Sequence, residues 1–291
     1  MTNVLADKAV LAVLSISVWT ARKFDKKITN ETNERFAAGN DAGRYNKQLI
    51  AKARIQQIQQ VAGEARQLHY HLTQPWLDEG ARVLPSALYL DYANKLRDLR
   101  RQFEDEADAF SREYPAMIEE ARKRLNGMFN ENDYPIPAHI RSKFAFDLKI
   151  MPCPDSGDFR VDIPNEHLRE IEDDLENHLQ DALNNAMKDS CNRIVTVVGY
   201  MAERLKAYDP KKSREEQNYF KDTLVPNVRD LAELLPAFNL SGDPKMTKII
   251  DRIQKELCTE ETKVLRKDED VREAVQKSAE DILAQVEAFM T

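Results

Sequence analysis

The stretch LYLDYANKLRDLRRQFEDEADAFSREYPAMIEEARKRL, from Leu88 to Leu125, decides the fold class. Its apolar residues recur every three or four positions, at Leu88, Tyr92, Leu96, Leu99, Phe103, Ala107, Phe110, Tyr114, Met117, Ala121 and Leu125. This spacing places them on one face of an α-helix, with charged residues on the other faces. We therefore predict one long helix over the stretch, with Pro115 as a candidate kink.

Two further apolar stripes predict long helices on either side of this one. The first, which includes Arg54 at one stripe position, predicts a helix from about Tyr45 to Leu72, and the second predicts a helix from Leu168 to Leu205. All three exceed the usual helix length of about 11–12 residues, which favours antiparallel or coiled-coil packing. The Leu88–Leu125 helix is also long for its available partners, so we predict that a second copy of the chain covers it and that the protein is a homo-oligomer.

Three segments alternate with the period of two that is typical of β-strands. Leu14, Ile16 and Val18 alternate with polar residues, and the segment KFAFDLKIM, residues 143–151, places Phe144, Phe146, Leu148 and Ile150 on one face. After the turn PCPDSGD, the same alternation continues at Phe159, Val161 and Ile163. We predict an α-dominated α+β fold, in which a small antiparallel sheet of the N-terminal strand and this β-hairpin packs on long antiparallel helices.

The charged, proline-containing segment DPKKSREEQ, residues 209–217, predicts a domain boundary. We expect an α+β domain over residues 1–208 and a helical C-terminal unit over residues 209–291, with helices near 214–235, 244–257 and 260–289. Asp243 followed by Pro244 is typical of a helix start. Thr259 is the candidate cap of the last helix.

The composition and motifs argue against several classes of function. The three cysteines, Cys153, Cys191 and Cys258, are odd in number and far apart, which fits neither a disulfide framework nor a CxxC zinc site. No GxGxxG, GxxxxGK[ST] or GxSxG motif is present. His69 and His71 would lie about 200° apart on a helix, too far around it to share a metal ion. We therefore predict a protein that is not an enzyme and has no cofactor and no metal.

The apolar run from Val10 to Trp19 is too short to span a bilayer, and the residues after it are a poor signal-peptide cleavage site. We accordingly predict no membrane association and a cytoplasmic location, which for a phage-encoded protein is the cytoplasm of the host cell.

The charges are unevenly distributed along the chain. Residues 1–75 hold 11 Lys and Arg against 6 Asp and Glu, whereas residues 76–208 hold 18 against 26. The candidate nucleic-acid-binding residues lie in this basic front, at Arg22, Lys23, Arg44, Lys47, Lys52 and Arg54, with Lys26 and Lys27 nearby. Clustered cations of this kind neutralise phosphates, or they pair with the protein's own acidic region. The position of Arg54 on an apolar stripe, and the scarcity of aromatic residues between the cations, favour the pairing.

A compact corner motif, TQPWLDEGARVLP, occupies Thr73–Pro85 between the first two long helices. Pro75 ends the preceding helix, and Gly80 allows a left-handed turn. We predict that Trp76 is buried against the hairpin and anchors the corner, that Arg82 pairs with Asp78 or Glu79, and that ARVLP adds a short strand.

Several of these segments in combination resemble an uncharacterised domain-of-unknown-function family of tailed phages and integrative mobile elements of Gram-negative bacteria. They are SISVWTARK, NKQLI, PWLDEGARVLP and FAFDLKIMP with FRVDI, and the resemblance covers roughly residues 10–206. The family has no assigned catalytic residues. Its genes are often found near cobaltochelatase-like AAA+ ATPase genes and phage recombination genes, which implies an accessory role in a mobile element.

Two functional hypotheses follow. The first is a non-enzymatic, self-assembling adaptor for an AAA+ ATPase or a DNA-processing complex. The alternative is a DNA-binding protein that uses the basic front, with single-strand annealing as one candidate activity. Binding to phosphates weakens steeply with salt and helix packing hardly does, so salt dependence separates the two.

Overall fold

The computed structural model describes residues 4–77, 80–155, 165–210 and 220–290. It is 70% helical, about twice the share in an average globular protein, and it contains a small antiparallel sheet. The predicted α-dominated α+β class is therefore confirmed. The helices are α1 Val4–Lys8, α2 Lys26–Arg35, α3 Lys52–Leu72, α4 Tyr89–Leu125, α5 Pro137–Ile140, α6 Asn165–Ala207, α7 Leu224–Phe238, α8 Pro244–Arg252, α9 Thr262–Lys267 and α10 Glu269–Met290. The strands are β1 Ala9–Ser17, β2 Arg22–Phe24, β3 Asn46–Gln48, β4 Gln74–Pro75, β5 Arg82–Pro85 and β6 Ala145–Pro152.

Helix α4 follows the predicted apolar stripe and continues through Pro115. Its buried residues all lie on that stripe: Tyr92, Leu96, Phe103, Ala107, Phe110, Tyr114, Met117, Ala121 and Leu125. Aromatic residues of the same chain cover it, with Phe144 at 5.2 Å from Phe110 and Trp19 at 5.7 Å from Tyr114, measured between ring centroids. Because the stripe is buried within a single chain, the argument that a second copy must cover it no longer holds.

Helix α3 begins later than predicted, at Lys52 rather than near Tyr45. Residues 46–48 form the short strand β3 instead. The buried face of α3 contains Ile55, Ile58 and Val61, whereas Arg54 is exposed. The predicted stripe was wrong at one position, Arg54 instead of Ile55, because Ile50, which is buried but precedes the helix, was counted as its first member.

The larger sheet has the strand order β4-β5-β1-β6. The pairing of β1 with β5 runs from Ala9 opposite Pro85 to Ala12 opposite Arg82, so the predicted strand in ARVLP is present. Strand β6 confirms the first arm of the predicted hairpin and neighbours β1. The second arm, with Phe159, Val161 and Ile163, lies outside the described residues. The predicted buried face of β6 is also shorter than expected, because Ile150 is exposed.

The chain forms two compact units that differ from the predicted division at residue 208. Unit 1 contains residues 1–13, 71–90 and 150–291, and unit 2 contains residues 14–70 and 91–149. Within unit 1, α6 and the helices after it share one hydrophobic core, which includes Ile194 and Met201 together with Val228, Ile250 and Ile282. The C-terminal helices bury their apolar faces against α6, so the structure has no separate C-terminal core among the described residues.

The starts of the C-terminal helices test the predicted caps. Asp243 caps α8 as expected, because its Oδ1 accepts the backbone N–H groups of Lys245 at 2.7 Å and Met246 at 3.2 Å. Thr259 is not a helix cap, since the N-cap of α9 is Glu261. The predicted single helix over 260–289 is two helices that meet at Asp268, whose Oδ1 accepts the N–H of Val271 at 3.1 Å.

The corner motif joins the sheet of unit 1 to α6. Trp76 is half-buried and packs against a cluster that contains Leu5, Leu11, Val83, Cys153, Leu179 and Leu240. Gln74 extends the connection, since its Nε2 donates to the carbonyl oxygen of Ala186 at 2.8 Å and to the hydroxyl of Ser190 at 2.9 Å. The predicted anchoring role of Trp76 therefore fits its position, although its side chain is less buried than expected.

The other residues of the corner hold its turn. Gly80 has a φ of 78°, a left-handed conformation that glycine adopts without steric cost. Arg82 donates from Nε to the hydroxyl of Thr73 at 2.7 Å and from Nη2 to the carbonyl oxygen of Thr73 at 3.0 Å. Its predicted partners Asp78 and Glu79 lie outside the described residues.

Replacing the anchor of the corner should destabilise the protein measurably. We expect Trp76→Ala to lower the free energy of unfolding by about 2–3 kcal/mol, less than a fully buried aromatic, because part of its ring already contacts water. Urea denaturation measures this difference. Leu77→Ala is the matched control, because this neighbouring side chain is exposed and its loss should change stability little. Equal effects of the two variants would show that Trp76 is not an anchor.

Candidate nucleic-acid interface

The basic front contains a two-stranded ribbon that sequence reasoning missed. Strands β2 and β3 pair antiparallel, with Arg22 opposite Gln48, Lys23 opposite Lys47 and Phe24 opposite Asn46. Each strand has only three residues and most of them are polar, so no alternating pattern announced them. Opposite residues of a ribbon lie on the same face. Arg22 and Phe24 therefore share one face with Asn46 and Gln48, and Lys23 shares the other face with Lys47.

Lys47 is the buried centre of this region, with only 3% of its surface exposed. Its Nζ lies 2.7 Å from a carboxylate oxygen of Asp133 and 3.4 Å from one of Asp25, and it donates to the carbonyl oxygen of Met128 at 2.8 Å. Burial disfavours the charged amine, but the two carboxylates outweigh it and raise the pKa of Lys47 above its ordinary value. A lysine held in this way cannot contact DNA phosphates, so its predicted role there does not fit its burial.

Asp25 connects the buried cluster to helix α2. Its Oδ1 accepts the N–H of Ile28 at 3.1 Å and so caps the helix, while its other oxygen faces Lys47. The N–H of Ile28 lowers the pKa of Asp25, burial opposes this change, and Lys47 lowers the pKa further. The strand β2, the start of α2 and the turn at Asp133 therefore depend on a single ion-pair cluster.

Two more residues of the predicted interface lie on helix α3. The guanidinium of Arg54 forms exposed ion pairs with Glu120 at 2.8 Å and with Glu113 at 3.4 Å. Lys52 is exposed at the start of the helix. The two predicted roles, pairing with the acidic middle region and exposure to phosphates, therefore apply to different cations. Lys47 and Arg54 pair with the acidic region, whereas Arg22, Lys23 and Arg44 remain at the surface.

One face of the ribbon presents an arginine stacked on an aromatic ring. The guanidinium carbon of Arg44 lies 4.7 Å from the centroid of the Phe24 ring, and both side chains are exposed. Phe24 also lies between Lys23 and Lys26 in the sequence, so the expectation that no aromatic residue is interleaved with the cations was wrong. A cation over the face of an aromatic ring is attracted to it, and this contact restricts the Arg44 side chain at the surface.

Two depressions flank this stacked pair. The first has a volume of about 540 Å³ and is lined by Val18, Thr20, Arg22, Asn46, Gln59 and Arg66. The second has a volume of about 600 Å³, and its lining includes Phe24, Lys26, Asn40, Asp41 and Arg44. Because Phe24 and Asn46 are opposite each other in the ribbon, the depressions are neighbours. We name Arg22, Phe24, Lys26, Arg44 and Arg66 the ribbon surface.

The cations of the ribbon surface have no ion-pair partner in the part of the chain that the structure describes. Within the described ranges, no salt bridge joins Arg22, Lys26, Arg44 or Arg66 to a carboxylate. Arg22 donates to the side-chain oxygen of Gln48 at 3.2 Å, and Arg66 donates to the carbonyl oxygen of Ile16 at 2.8 Å. These bonds orient both guanidinium groups and leave their positive charge uncompensated. Arg66 had no signal in the sequence, because it lies on α3, far along the chain from the ribbon.

The described residues give little support to the other chemical candidates. Burial raises the pKa of the Cys153 thiol to about 11 and raises those of Cys191 and Cys258 as well, so all three are protonated at neutral pH. His69 is buried and its Nδ1 lies 2.7 Å from the hydroxyl of Tyr92. Over the described part of the chain, no three His, Cys, Asp or Glu residues are grouped in a way that could hold a metal ion. No described helix is both long and apolar enough to cross a membrane.

No protein-family profile, curated protein or solved structure matches the chain. The assignment of a function therefore depends on the geometry of the ribbon surface.

Removing the charge of Lys47 should strongly destabilise unit 2. We expect Lys47→Met to lower the free energy of unfolding by about 3–5 kcal/mol, because it leaves two partly buried carboxylates without a counter-charge. Chemical denaturation, followed by circular dichroism, measures the loss. Lys52→Met makes the same substitution at an exposed position and should have almost no effect. A Lys47→Met protein as stable as the wild type would show that the ion pairs contribute nothing.

The ion-pair cluster of Lys47, Asp25 and Asp133 makes the free energy of unfolding depend on pH in the acidic range. The pKa of Asp25 is lower in the folded chain than its ordinary value of 3.8, so the folded state binds this proton less readily than the unfolded state. Its contribution to stability is present above that value and is lost as pH falls through the lowered pKa. We expect Asp25→Asn to be less stable at neutral pH and to lose less stability on acidification. Parallel slopes of the unfolding free energy against pH for the two proteins would contradict this.

Proposed function

We propose that this protein binds nucleic acid through the ribbon surface and acts as a non-catalytic accessory protein. The observation that carries the proposal is the set of four exposed, unneutralised cations around two adjacent depressions, Arg22, Lys26, Arg44 and Arg66. Three of them are arginines, whose planar guanidinium groups bind phosphate oxygens in pairs.

The charge distribution of the rest of the chain supports the proposal. Residues 76–208 carry 26 Asp and Glu against 18 Lys and Arg, so this part of the chain repels a polyanion. The basic front alone carries an excess of positive charge, and two of its candidate cations, Lys47 and Arg54, are already paired with carboxylates. A nucleic acid would therefore be directed to the ribbon surface by attraction there and repulsion elsewhere.

The adaptor hypothesis has weaker support than nucleic-acid binding. It rests on the long helices and on the family resemblance, and the apolar stripe of α4 is buried within the chain. Binding to an AAA+ ATPase and self-association remain predictions. They are compatible with nucleic-acid binding, because a DNA-processing complex needs a component that holds the DNA.

Charge reversal on the ribbon surface tests the proposal. We expect the wild-type protein to bind a fluorescein-labelled oligonucleotide at low salt, with an affinity that falls linearly on a log–log plot against salt concentration. The double variant Arg22→Glu/Arg44→Glu should abolish this binding, because two attractive contacts become repulsive. Fluorescence anisotropy measures the affinity, and circular dichroism checks that the variant is folded.

The matched control reverses two other exposed cations of unit 2, Lys123 and Lys143, which line neither depression. Lys123→Glu/Lys143→Glu changes the net charge by the same amount and should retain most of the affinity. Equal loss in both double variants would indicate that net charge alone drives binding. Absence of any binding by the wild type at low salt would refute the proposal and leave the adaptor hypothesis in its place.

A further inference from the structure

We infer that the ribbon surface is selective for single-stranded nucleic acid, with one base stacked on the Arg44–Phe24 pair and the neighbouring phosphates held in the two depressions. This inference rests on the proposed function and adds to it the class of ligand and the role of each residue.

The Arg44–Phe24 pair is the place where a base would stack. The guanidinium carbon of Arg44 lies over the Phe24 ring, 4.7 Å from its centroid, and both side chains are exposed, so a ligand can reach the pair from solvent. Nucleobases stack on aromatic rings and on arginine planes. The ring below restricts the arginine, which reduces the entropy that base binding would cost. A phosphate would be bound through the charge of Arg44 alone, whereas a base would stack on the flat face of its guanidinium group.

Positive charge lies next to the Arg44–Phe24 pair. The ribbon places Arg22 two residues before Phe24 on the same face, beside the depression that Arg66 also lines. Lys26 lines the other depression, together with Arg44. Cations therefore line both depressions beside the stacking position, with one carboxylate, Asp41, in the second. An extended single strand has this alternation, since each base is flanked by two phosphates.

A duplex fits the ribbon surface less well than a single strand. In a duplex the base faces are covered by their neighbours, so a stacking platform at the protein surface gains nothing from them. Each of the two strands has only three residues, which is too short to lie along a groove, and Asn46 is the sole exposed residue of β3. The surface consequently offers a duplex only its charge.

An anionic lipid surface is the other ligand that clustered cations fit. A flat membrane is bound by Lys and Arg side chains that protrude, together with apolar side chains that insert into it. Arg66 is held by the carbonyl oxygen of Ile16 at 2.8 Å and lines a depression of about 540 Å³, which a phosphate on a flexible strand can enter. The geometry thus favours nucleic acid.

The test compares three ligands of equal length in one anisotropy assay: oligo(dT), an oligonucleotide made of abasic sites, and a duplex. We expect the full-length wild-type protein to bind oligo(dT) about tenfold more tightly than the abasic strand, which corresponds to about 1.4 kcal/mol and lies within the range for stacking of one base. The duplex should bind more weakly than oligo(dT) at the same salt concentration.

Two substitutions then separate the plane of Arg44 from its charge. Arg44→Lys keeps the charge and removes the plane, so the preference for oligo(dT) over the abasic strand should disappear while the salt slope is unchanged. Phe24→Leu removes the ring below and should have the same effect. Arg66→Gln should weaken all single strands alike and reduce the salt slope by about 0.7, as expected for one lost phosphate contact on a single strand.

The outcomes distinguish this inference from the proposed function. Equal affinity for oligo(dT), the abasic strand and the duplex would overturn single-strand selectivity and leave nucleic-acid binding in place. Retention of the base preference in Arg44→Lys and Phe24→Leu would overturn the stacking role of the pair. Binding to phosphatidylserine vesicles without binding to any oligonucleotide would overturn both the inference and the proposed function.

Discussion

The buried ammonium group of Lys47 is the interaction on which the surface of the basic front depends. A charged amine that is almost fully removed from water needs compensation, and Asp133 and Asp25 supply it from two separate parts of the chain. Asp25 also caps α2, and the carbonyl oxygen of Met128 accepts a third contact. The ribbon is only three residue pairs long, so its own hydrogen bonds would hold it weakly. The ion-pair cluster fixes it from one face and leaves the other face free to bind.

The cations of the basic front have different roles because of this arrangement. Lysine and arginine residues that look equivalent in the sequence have three different roles in unit 2. Lys47 stabilises the interior, and Arg54 pairs with acids on the surface of α4. Arg22 in the ribbon and Arg44 just before it are exposed and form no salt bridge with a described carboxylate. Which role a cation takes depends on whether a carboxylate lies within reach, and sequence separation says little about that. Glu120 is far from Arg54 along the chain and 2.8 Å away in space.

The two units are stabilised in different ways. Unit 1 is built on apolar contacts, since α6 and the C-terminal helices bury Ile, Val, Leu and Met side chains in one core. Buried Gln74 and the Arg82–Thr73 hydrogen bonds add polar connections at the corner. Unit 2 combines an aromatic core along α4 with ion pairs and capping interactions around the ribbon. Apolar packing tolerates salt, whereas ion-pair clusters respond to salt and pH.

The amino-acid sequence by itself determined the three long helices, the presence of an N-terminal strand, the first arm of the hairpin and the dominance of α-helix. Each of these has a long repeating pattern in which apolar residues such as Leu96, Phe103 and Phe110 must face the same side. Local chemistry also determined the cap at Asp243, because the cap and its partners are adjacent in the chain. The general location of the candidate site followed from the local excess of positive charge.

Only the tertiary structure decided which of those charges are available. The burial of Lys47, the stacking of Arg44 on Phe24 and the contribution of Arg66 all depend on contacts between segments that are distant in sequence. The strands of the ribbon are too short and too polar to show a period. The role of Thr259 was misjudged because the helix there begins only at Thr262, with Glu261 as its N-cap. The sequence around a charged side chain shows no repeating pattern that identifies its ion-pair partner. Its role therefore depends on which distant segments the fold brings close to it.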